Sequence, residues 1–305
     1  KISRKEDTIT GKLISKTDTA MEIKGYGQVA IDEAMKIYAT YDGIREVSMD
    51  ALMLENMEIT FVVAEKQICA ILLTEPAKIE NIRVLLLDND NMFRSDVSLV
   101  SDVPVHLYYG ETETVLEAGS VITASNYANI LATSSVSLVA EDGTSPFYFT
   151  DNQGNRISPA YAGSIELRMY PEGYTVVNVV DLESYVKGVI PSEVPSSYGM
   201  EALKAQAVCA RSYAYIQMMH NKYEAYGAHV DDSVNFQVYN KQNQTPETVA
   251  AVDETKGQVL SYKGDIIETY YYSTSYGHTG DYEAWNLDKD AYGYLQGVWV
   301  RSEEN

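Results

Sequence analysis

The stretch from Met200 to Tyr223 reads Met-Glu-Ala-Leu-Lys-Ala-Gln-Ala-Val-Cys-Ala-Arg-Ser-Tyr-Ala-Tyr-Ile-Gln-Met-Met-His-Asn-Lys-Tyr. Its first half consists of good helix formers, and Glu201 stands in the first turn, where a carboxylate complements the helix dipole. We therefore predict one long helix over 200–223. Small side chains recur on one side of it at helical spacing: Leu203, Ala207, Ala210 and Ala214. Because such a ridge lets another backbone approach closely, we expect the helix to be central and buried.

Two cations of this helix, Lys204 and Arg211, are seven residues apart and share a neighbouring face with Val208 and Tyr215. The spacing predicts that both cations face an element packed beside the helix.

The chain before about residue 160 consists mainly of short strands separated by turn sequences. Many positions are β-branched or aromatic, and several runs alternate between apolar and polar residues. The predicted strands are Met57–Ala64, Gln67–Leu73, Ile82–Leu87, Val97–Val100, Val103–Tyr109, Thr114–Leu116, Val136–Ala140 and Phe147–Thr150. Thr74-Glu-Pro-Ala-Lys is the best candidate linker, which places a domain boundary near residue 77.

After residue 160 the pattern changes to a mixture of helices and strands. We predict strands at Ser164–Met169 and Tyr174–Val180, a helix from Leu182 followed by a Pro-rich turn, a helix over 246–255, and strands at Gln258–Tyr262 and Ile266–Tyr272. The fold class is therefore α+β. We expect an accessory all-β domain over 1–77 and a second domain over 78–305, divided into a β-rich wing (78–160) and an α+β core (161–305).

Composition excludes several functions. The 305 residues carry 23 Lys and Arg against 44 Asp and Glu, a net charge of -21, so a nucleic-acid partner is not expected. Any wall or glycan ligand would have to be held by hydrogen bonds and stacking, for which the 25 tyrosines are suited, although most of them fit half-buried strand positions. No apolar run is long enough to span a membrane, and the chain opens with Lys1, so we expect that an N-terminal anchor has been removed.

The two cysteines and four histidines give no sign of a metal site. We interpret Cys69 and Cys209 as small buried hydrophobic residues, with a bridge between them left open. The histidines lack metal-ligand spacing, and we expect no metal and no cofactor. His278 follows a Tyr-rich run and precedes Thr279 in a hydroxyl-rich segment. Two interpretations of His278 are about equally favoured: it lines a polar groove that binds substrate, or it is a solvated loop residue.

Glu193 lies between two prolines in Gly188-Val-Ile-Pro-Ser-Glu-Val-Pro. A carboxylate held rigidly beside apolar residues is suited to act as a general acid. The simpler alternative, an acidic residue near a helix start that is stabilised by the helix dipole, is favoured by composition alone.

From Ile82 onwards, and most clearly from Tyr161, the chain resembles the stage II sporulation protein D family, the SpoIID/LytB group. The resemblance depends on several ordered blocks: Tyr161-Ala-Gly-Ser-Ile-Glu-Leu, Val176-Val-Asn-Val-Val-Asp-Leu-Glu-Ser-Tyr-Val-Lys-Gly-Val-Ile-Pro-Ser-Glu-Val-Pro, Glu201-Ala-Leu-Lys-Ala-Gln-Ala-Val-Cys-Ala-Arg-Ser-Tyr-Ala, Gln237-Val-Tyr, Thr255-Lys-Gly-Gln-Val-Leu, Tyr271-Tyr-Ser-Thr-Ser-Tyr-Gly-His-Thr and Tyr294-Leu. Several blocks in order are far more specific than one motif.

The resemblance implies a lytic transglycosylase, which cleaves between N-acetylmuramic acid and N-acetylglucosamine in peptidoglycan and leaves a 1,6-anhydro ring. By position in the matching blocks, the resemblance implies that Glu193 is the catalytic acid and Arg211 an essential cation. It also implies that Tyr271 is the tyrosine that the family carries on a strand at the site. The expected substrate-binding residues are Lys204, Gln237, Tyr239, Ser273, Ser275 and His278. The expected partners are glycan strands, with or without stem peptides, and an amidase, outside the cytoplasm in the bacterial envelope.

Two departures from the family pattern matter. Tyr276-Gly277 stands where the family has paired glycines, so the loop must avoid or tolerate a backbone conformation that glycine favours. Ser233-Val-Asn-Phe precedes the Gln-Val-Tyr block where zinc-binding members have Cys and His, which also predicts no zinc. Two other hypotheses stay open: a non-catalytic amidase enhancer on the same fold, and an assembly protein that docks through its β-rich half.

Overall fold

The computed structural model describes residues 7–41 and 43–300, so the basic residues 1–5 next to the expected anchor lie outside it. The chain begins with a six-stranded sheet in the order β2-β1-β5-β6-β3-β4, which closes on itself because β2 also pairs with β3. Alternating residues such as Ile59 and Phe61 point into its core. Its strands are β1 (Asp7–Lys16), β2 (Ala20–Ile23), β3 (Gly27–Ala39), β4 (Arg45–Val47), β5 (Glu58–Ala64) and β6 (Gln67–Leu73).

A second sheet of seven strands and a three-stranded sheet follow. The strands are β7 (Asn81–Leu85), β8 (Ser98–Ser101), β9 (Val105–Tyr109), β10 (Thr112–Leu116), β11 (Ile122–Thr123), β12 (Val136–Ala140), β13 (Phe147–Phe149), β14 (Ser164–Tyr170), β15 (Gly173–Asp181) and β16 (Val230–Asp231). The larger sheet has the order β10-β9-β12-β14-β15-β7-β16, and the smaller one β11-β8-β13. The strands predicted from Met57 to Val180 are confirmed, with ends within two residues of the prediction.

The helices are α1 (Ala128–Leu131), α2 (Leu182–Glu193), α3 (Met200–His220), α4 (Pro246–Glu254) and α5 (Lys289–Tyr292). Short 3-10 turns lie at Met49–Ala51, Ala124–Tyr127, Ser196–Tyr198, Glu224–Tyr226 and Tyr282–Trp285. The α+β class is confirmed. Helix α3 is central as expected, and its small-residue ridge is fully buried. It ends three residues earlier than predicted, because Asn221 adopts the left-handed conformation that terminates helices.

The two strands predicted after α4 are wrong in extent. Only Ser261–Tyr262 and Asp265–Ile266 pair, as β17 and β18. The flanking residues bond to α3 instead of to a sheet: the Leu260 N–H donates to Ser212 Oγ (2.9 Å), and the Thr269 hydroxyl donates to the Cys209 carbonyl (2.7 Å). Tyr271 therefore lies in an irregular segment that runs along α3.

Buried charges join the first sheet to the second. The Arg83 guanidinium, which is fully buried, pairs with Glu55 of the first sheet region and with Glu166 of β14. Arg168 of β14 pairs with Glu22 of β2. Burial alone would raise the pKa of Glu55, but the charges of Arg83 and Lys24 outweigh it and lower that pKa to about 2. One hydrophobic core also contains residues of both sheets. The expected boundary near residue 77 falls between β6 and β7.

Two further sequence expectations concern the cysteines and the membrane. Cys69 and Cys209 are free thiols, each half-buried. Burial raises the pKa of the Cys209 thiol. Between residues 7 and 300, leaving out residue 42, no helix combines the length and apolar character needed to cross a bilayer.

Candidate active site

Helix α2 carries the candidate acid at its last residue. The Asp181 side chain caps the start of the helix by accepting from the Ser184 N–H (3.0 Å), and the helix continues to Glu193. The Pro-rich turn predicted after Ile190 is therefore wrong, because α2 includes Pro191. A proline removes one helical N–H donor. Contacts from outside help to hold this end of the helix, since the Gly188 carbonyl accepts from the Asn240 N–H (3.0 Å).

A glycine is required where α2 meets the segment after residue 236. A Cβ atom on Gly188 would lie 2.5 Å from Cε2 of Tyr239, closer than real contacts allow. Ser192 also bonds across this contact, because its hydroxyl oxygen accepts from the Lys241 N–H (3.0 Å). The close approach brings Gln237, Val238 and Tyr239 against the end of α2.

The Glu193 carboxylate is half-buried and held by a backbone donor. The Val238 N–H donates to its Oε1 (2.7 Å). The carboxylate thus has one oxygen fixed by the protein, and the residue keeps some exposure to solvent. A carboxylate in this position can exchange a proton with a ligand.

Tyr271 lies against this carboxylate. Burial first, and then the charge of Glu193, raise the pKa of Tyr271, so the phenol lies close to the carboxylate. The Gln237 side-chain Nε2 donates to the Tyr271 hydroxyl oxygen (3.1 Å). The Tyr185 hydroxyl donates to the Gln237 side-chain Oε1 (3.3 Å). Hydrogen bonds therefore run from Tyr185 through Gln237 to Tyr271, whose phenol lies beside Glu193.

Gln237 and Tyr239 lie behind the site rather than in contact with solvent. They are 1% and 2% exposed, so they leave almost no surface for a sugar. The Tyr239 ring stacks on Tyr185 with centroids 4.9 Å apart, and its hydroxyl donates to Asn178 Oδ1 (2.9 Å). This differs from the expectation that both bind substrate, and their burial makes them positioning residues.

Arg211 is 1% exposed and forms a two-pronged ion pair with Glu183 of α2. Its Nε donates to Glu183 Oε1 (2.9 Å) and its Nη2 to Oε2 (2.7 Å), while Nη1 donates to the Gln258 carbonyl (2.9 Å). Among the described residues, no hydrogen bond or ion pair joins Arg211 to Glu193, and Glu183 engages its guanidinium. Arg211 instead joins α3, α2 and the segment after α4.

Lys204 also faces α4 rather than Glu193. Its ammonium pairs with Glu254 (2.7 Å) and Glu201 (3.3 Å). The prediction that Lys204 and Arg211 face a neighbouring element is confirmed, and α4 is part of that element. The expected role of Lys204 in substrate binding gains no support from these contacts.

Ser273, Ser275 and His278 lie on a loop beyond Tyr271. The two serines are exposed, and the His278 ring packs edge-on against Trp299 with centroids 4.9 Å apart. Of the unusual pair at 276–277, only Gly277 has a positive φ (+98°), so Tyr276 avoids the strained conformation. In the described part of the chain, no hydrogen bond joins these three residues to Glu193.

The structure therefore brings together Glu193, Gln237 and Tyr271 of the predicted residues. Sequence reasoning missed Tyr185 and Glu183, although both lie in the block after Val176. Tyr185 shares a helical face with Val189, four residues on, which is a signal of burial. Within residues 7–41 and 43–300, no three His, Cys, Asp or Glu side chains are grouped to hold a metal ion.

The fold and the site define an α+β protein in which one helix-borne carboxylate, supported by buried tyrosines, is presented to solvent. Residues 170–262 match the model of the SpoIID family, described as stage II sporulation protein, and this region belongs to that family. The match contains Glu193, Arg211 and Gln237 and ends before Tyr271.

Curated relatives agree with this assignment. The chain is 36% identical over 232 residues to the amidase enhancer of Bacillus subtilis (strain 168), which covers 62% of this chain and 32% of that protein. It is 35% identical over 138 residues to stage II sporulation protein D of the same organism, and the alignment covers 41% of this chain and 40% of that protein. An uncharacterized protein of Brachyspira hyodysenteriae is 40% identical to this chain over 139 residues, and the alignment covers 45% of this chain and 37% of that protein. The aligned parts thus span 32% to 40% of these relatives.

Proposed function

We propose that this chain is a peptidoglycan lytic transglycosylase with Glu193 as its acid. The observation that carries the proposal is the Glu193 carboxylate itself. It is partly open to solvent, fixed at Oε1 by the Val238 N–H and adjacent to the neutral phenol of Tyr271. The family match of residues 170–262 supports the resemblance that implies a glycan substrate.

In the proposed reaction, the protonated Glu193 first gives its proton to the glycosidic oxygen. The bond from the anomeric carbon to that oxygen breaks, and the leaving sugar departs as an alcohol. The 6-hydroxyl of the N-acetylmuramic acid then bonds to the anomeric carbon, and its proton returns to the Glu193 carboxylate. No water is consumed, so the second carboxylate that most glycosidases use is not required.

Tyr271 is a positioning residue in this proposal. Because its pKa is raised, the phenol stays protonated and can donate to Glu193 when the carboxylate is charged. Gln237 fixes the phenol from the other side. The acid is thereby held in one orientation through both proton transfers.

A second candidate is an amidase enhancer without catalytic activity. The observation that favours it is the relative of that name, whose alignment covers 62% of this chain. In this case the same surface binds glycan, and Glu193 contributes only to binding or structure.

Mass spectrometry of glycan strands separates the two candidates. Purified strands, with and without stem peptides, are incubated with the wild type, with Glu193→Gln and with Glu172→Gln, an exposed carboxylate on the β14–β15 turn that serves as the matched control. We expect anhydro-ended products from the wild type and the control and none from Glu193→Gln. Reducing ends would indicate hydrolysis, and binding without cleavage by the wild type would support the enhancer.

We further propose that the protein acts in the bacterial envelope. The relatives named for sporulation support this location. Glycan strands are then the principal partner, and the comparison of strands with and without stem peptides tests whether an amidase must act first.

A further inference from the structure

Two aromatic rings lie exposed and in contact with each other close to the candidate acid. Tyr270 is 42% exposed and Trp285 is 56% exposed. Their rings meet edge to face, with centroids 5.3 Å apart. Other aromatic rings of this chain are exposed as well, so the feature that points to a ligand is the contact between two exposed rings beside the segment of Tyr271.

The pair is continuous with the site through the chain itself, because Tyr270 directly precedes Tyr271. The side-chain amide of Gln237, which bonds to the Tyr271 hydroxyl, also bonds to the Ala210 carbonyl, and Thr269, next to Tyr270, bonds to the neighbouring Cys209 carbonyl. The ring pair thus lies on the chain segment that carries Tyr271, and among the described residues no hydrogen bond joins either ring to Glu193.

Both rings are held in place before any ligand binds. The Gln217 side-chain amide donates to Glu268 Oε1 (2.6 Å), and Glu268, two residues before Tyr270, contributes after burial to the raised pKa of the Tyr270 phenol. Trp285 ends a 3-10 turn that Asp281 caps by accepting from the Glu283 N–H (3.1 Å). Rigid aromatic surfaces lose little conformational entropy on binding.

The surrounding charge narrows the class of ligand. Glu268 precedes Tyr270 by two residues, Asp281 and Glu283 precede Trp285 by four and two, and the whole chain carries a net charge of -21. An anionic ligand is therefore disfavoured. The uncharged N-acetylglucosamine, whose C–H face stacks on aromatic rings, fits both the apolar surface and the charge better than N-acetylmuramic acid with its lactyl carboxylate.

We propose that Tyr270 and Trp285 form a subsite that stacks an N-acetylated sugar of a strand whose scissile bond lies at Glu193. This inference rests on the proposed function for the position of the bond. The subsite determines how long a glycan must be to bind well, because a short fragment at Glu193 does not reach the ring pair.

Binding measured without cleavage tests the subsite. In a Glu193→Gln background, oligomers of N-acetylglucosamine of increasing length are titrated by calorimetry against the parent, Trp285→Ala, Trp285→Phe and the control Tyr26→Ala, an exposed ring of the first sheet. Loss of a stacked ring weakens binding at least about fivefold. We expect this loss for Trp285→Ala with long oligomers only, with most affinity retained in Trp285→Phe and all of it in Tyr26→Ala.

Tryptophan fluorescence gives an independent readout, because Trp285 and Trp299 are the only tryptophans in the sequence. With Trp299→Phe, the emission comes from Trp285 alone and should change on adding long oligomers. Unchanged affinity in Trp285→Ala, equal losses with short and long oligomers, or binding of an acidic peptide in place of the sugar would overturn the subsite. Cleavage by the wild type is measured separately, so a protein that binds at Trp285 without cleaving would refute only the proposed function.

Discussion

Replacing Glu55 with Gln should destabilise the protein strongly, because it leaves the buried Arg83 without one of its two carboxylate partners. The folded-state pKa of Glu55 is about 2, against an ordinary value of 4.5. This difference corresponds to about 3 kcal/mol of folding free energy at pH 7. Removing one partner of a buried ion pair costs a similar amount, about 3–5 kcal/mol.

The stabilising contribution of Glu55 should depend on pH. Because the pKa is lowered on folding, the contribution of Glu55 is complete above pH 4.5 and is lost as the pH falls towards 2. At pH 3 the difference between wild type and Glu55→Gln should shrink to less than half of its value at pH 7.

Urea unfolding of both proteins between pH 7 and pH 3 measures this difference. The control is Glu46→Gln, which removes an exposed ion pair with Lys36 in the same sheet and should cost less than about 1 kcal/mol. A loss for Glu55→Gln no larger than that of the control, or one that is the same at both pH values, would refute the reasoning.

Three other substitutions test the site. Gly188→Ala inserts a Cβ atom 2.5 Å from the Tyr239 ring and should lower the free energy of unfolding by about 1–3 kcal/mol, measured by urea unfolding. Tyr271→Phe removes the phenol hydroxyl beside the acid and should slow strand cleavage about tenfold to a hundredfold with the fold intact, and an unchanged rate would exclude its positioning role. Arg211→Met leaves the Glu183 carboxylate unpaired and should lower the melting temperature, whereas Arg211→Lys should restore part of it, and equal melting temperatures for the two variants would contradict the two-pronged pair.

The local elements were predictable where the residue pattern alone determines them. Helix α3 and the alternating strands follow from periodicity, and their predicted positions agree with the structure within a few residues. The structure of the segment around Thr269 was not predictable in this way. Its β-branched and aromatic residues favour a strand, but the Thr269 hydroxyl donates its hydrogen bond to α3. The competition between a sheet partner and a helix is decided by tertiary contacts, which a linear pattern does not contain.

The candidate site was predictable in part. The position of Glu193 between prolines marked it as unusual, but its place at the end of α2 depends on contacts with Asn240 and Tyr239, some 50 residues later. The sequence indicated that Arg211 faces an element packed beside α3. It did not indicate Glu183 as the partner, because nothing in the local sequence links residues on two different helices.

The buried ion pairs between the sheets also affect the order in which the chain can fold. Glu22 pairs with Arg168, which is 146 residues further along, so the two ends of this contact are made far apart in time during synthesis. Until Arg83 and Arg168 arrive, Glu55 and Glu22 remain hydrated and the first sheet cannot complete its packing. Contacts of such high sequence separation slow folding, so the first sheet should become protected from hydrogen exchange only after β14 is in place. The first sheet is thus synthesised before β14 and is among the last parts of this region to reach its final environment.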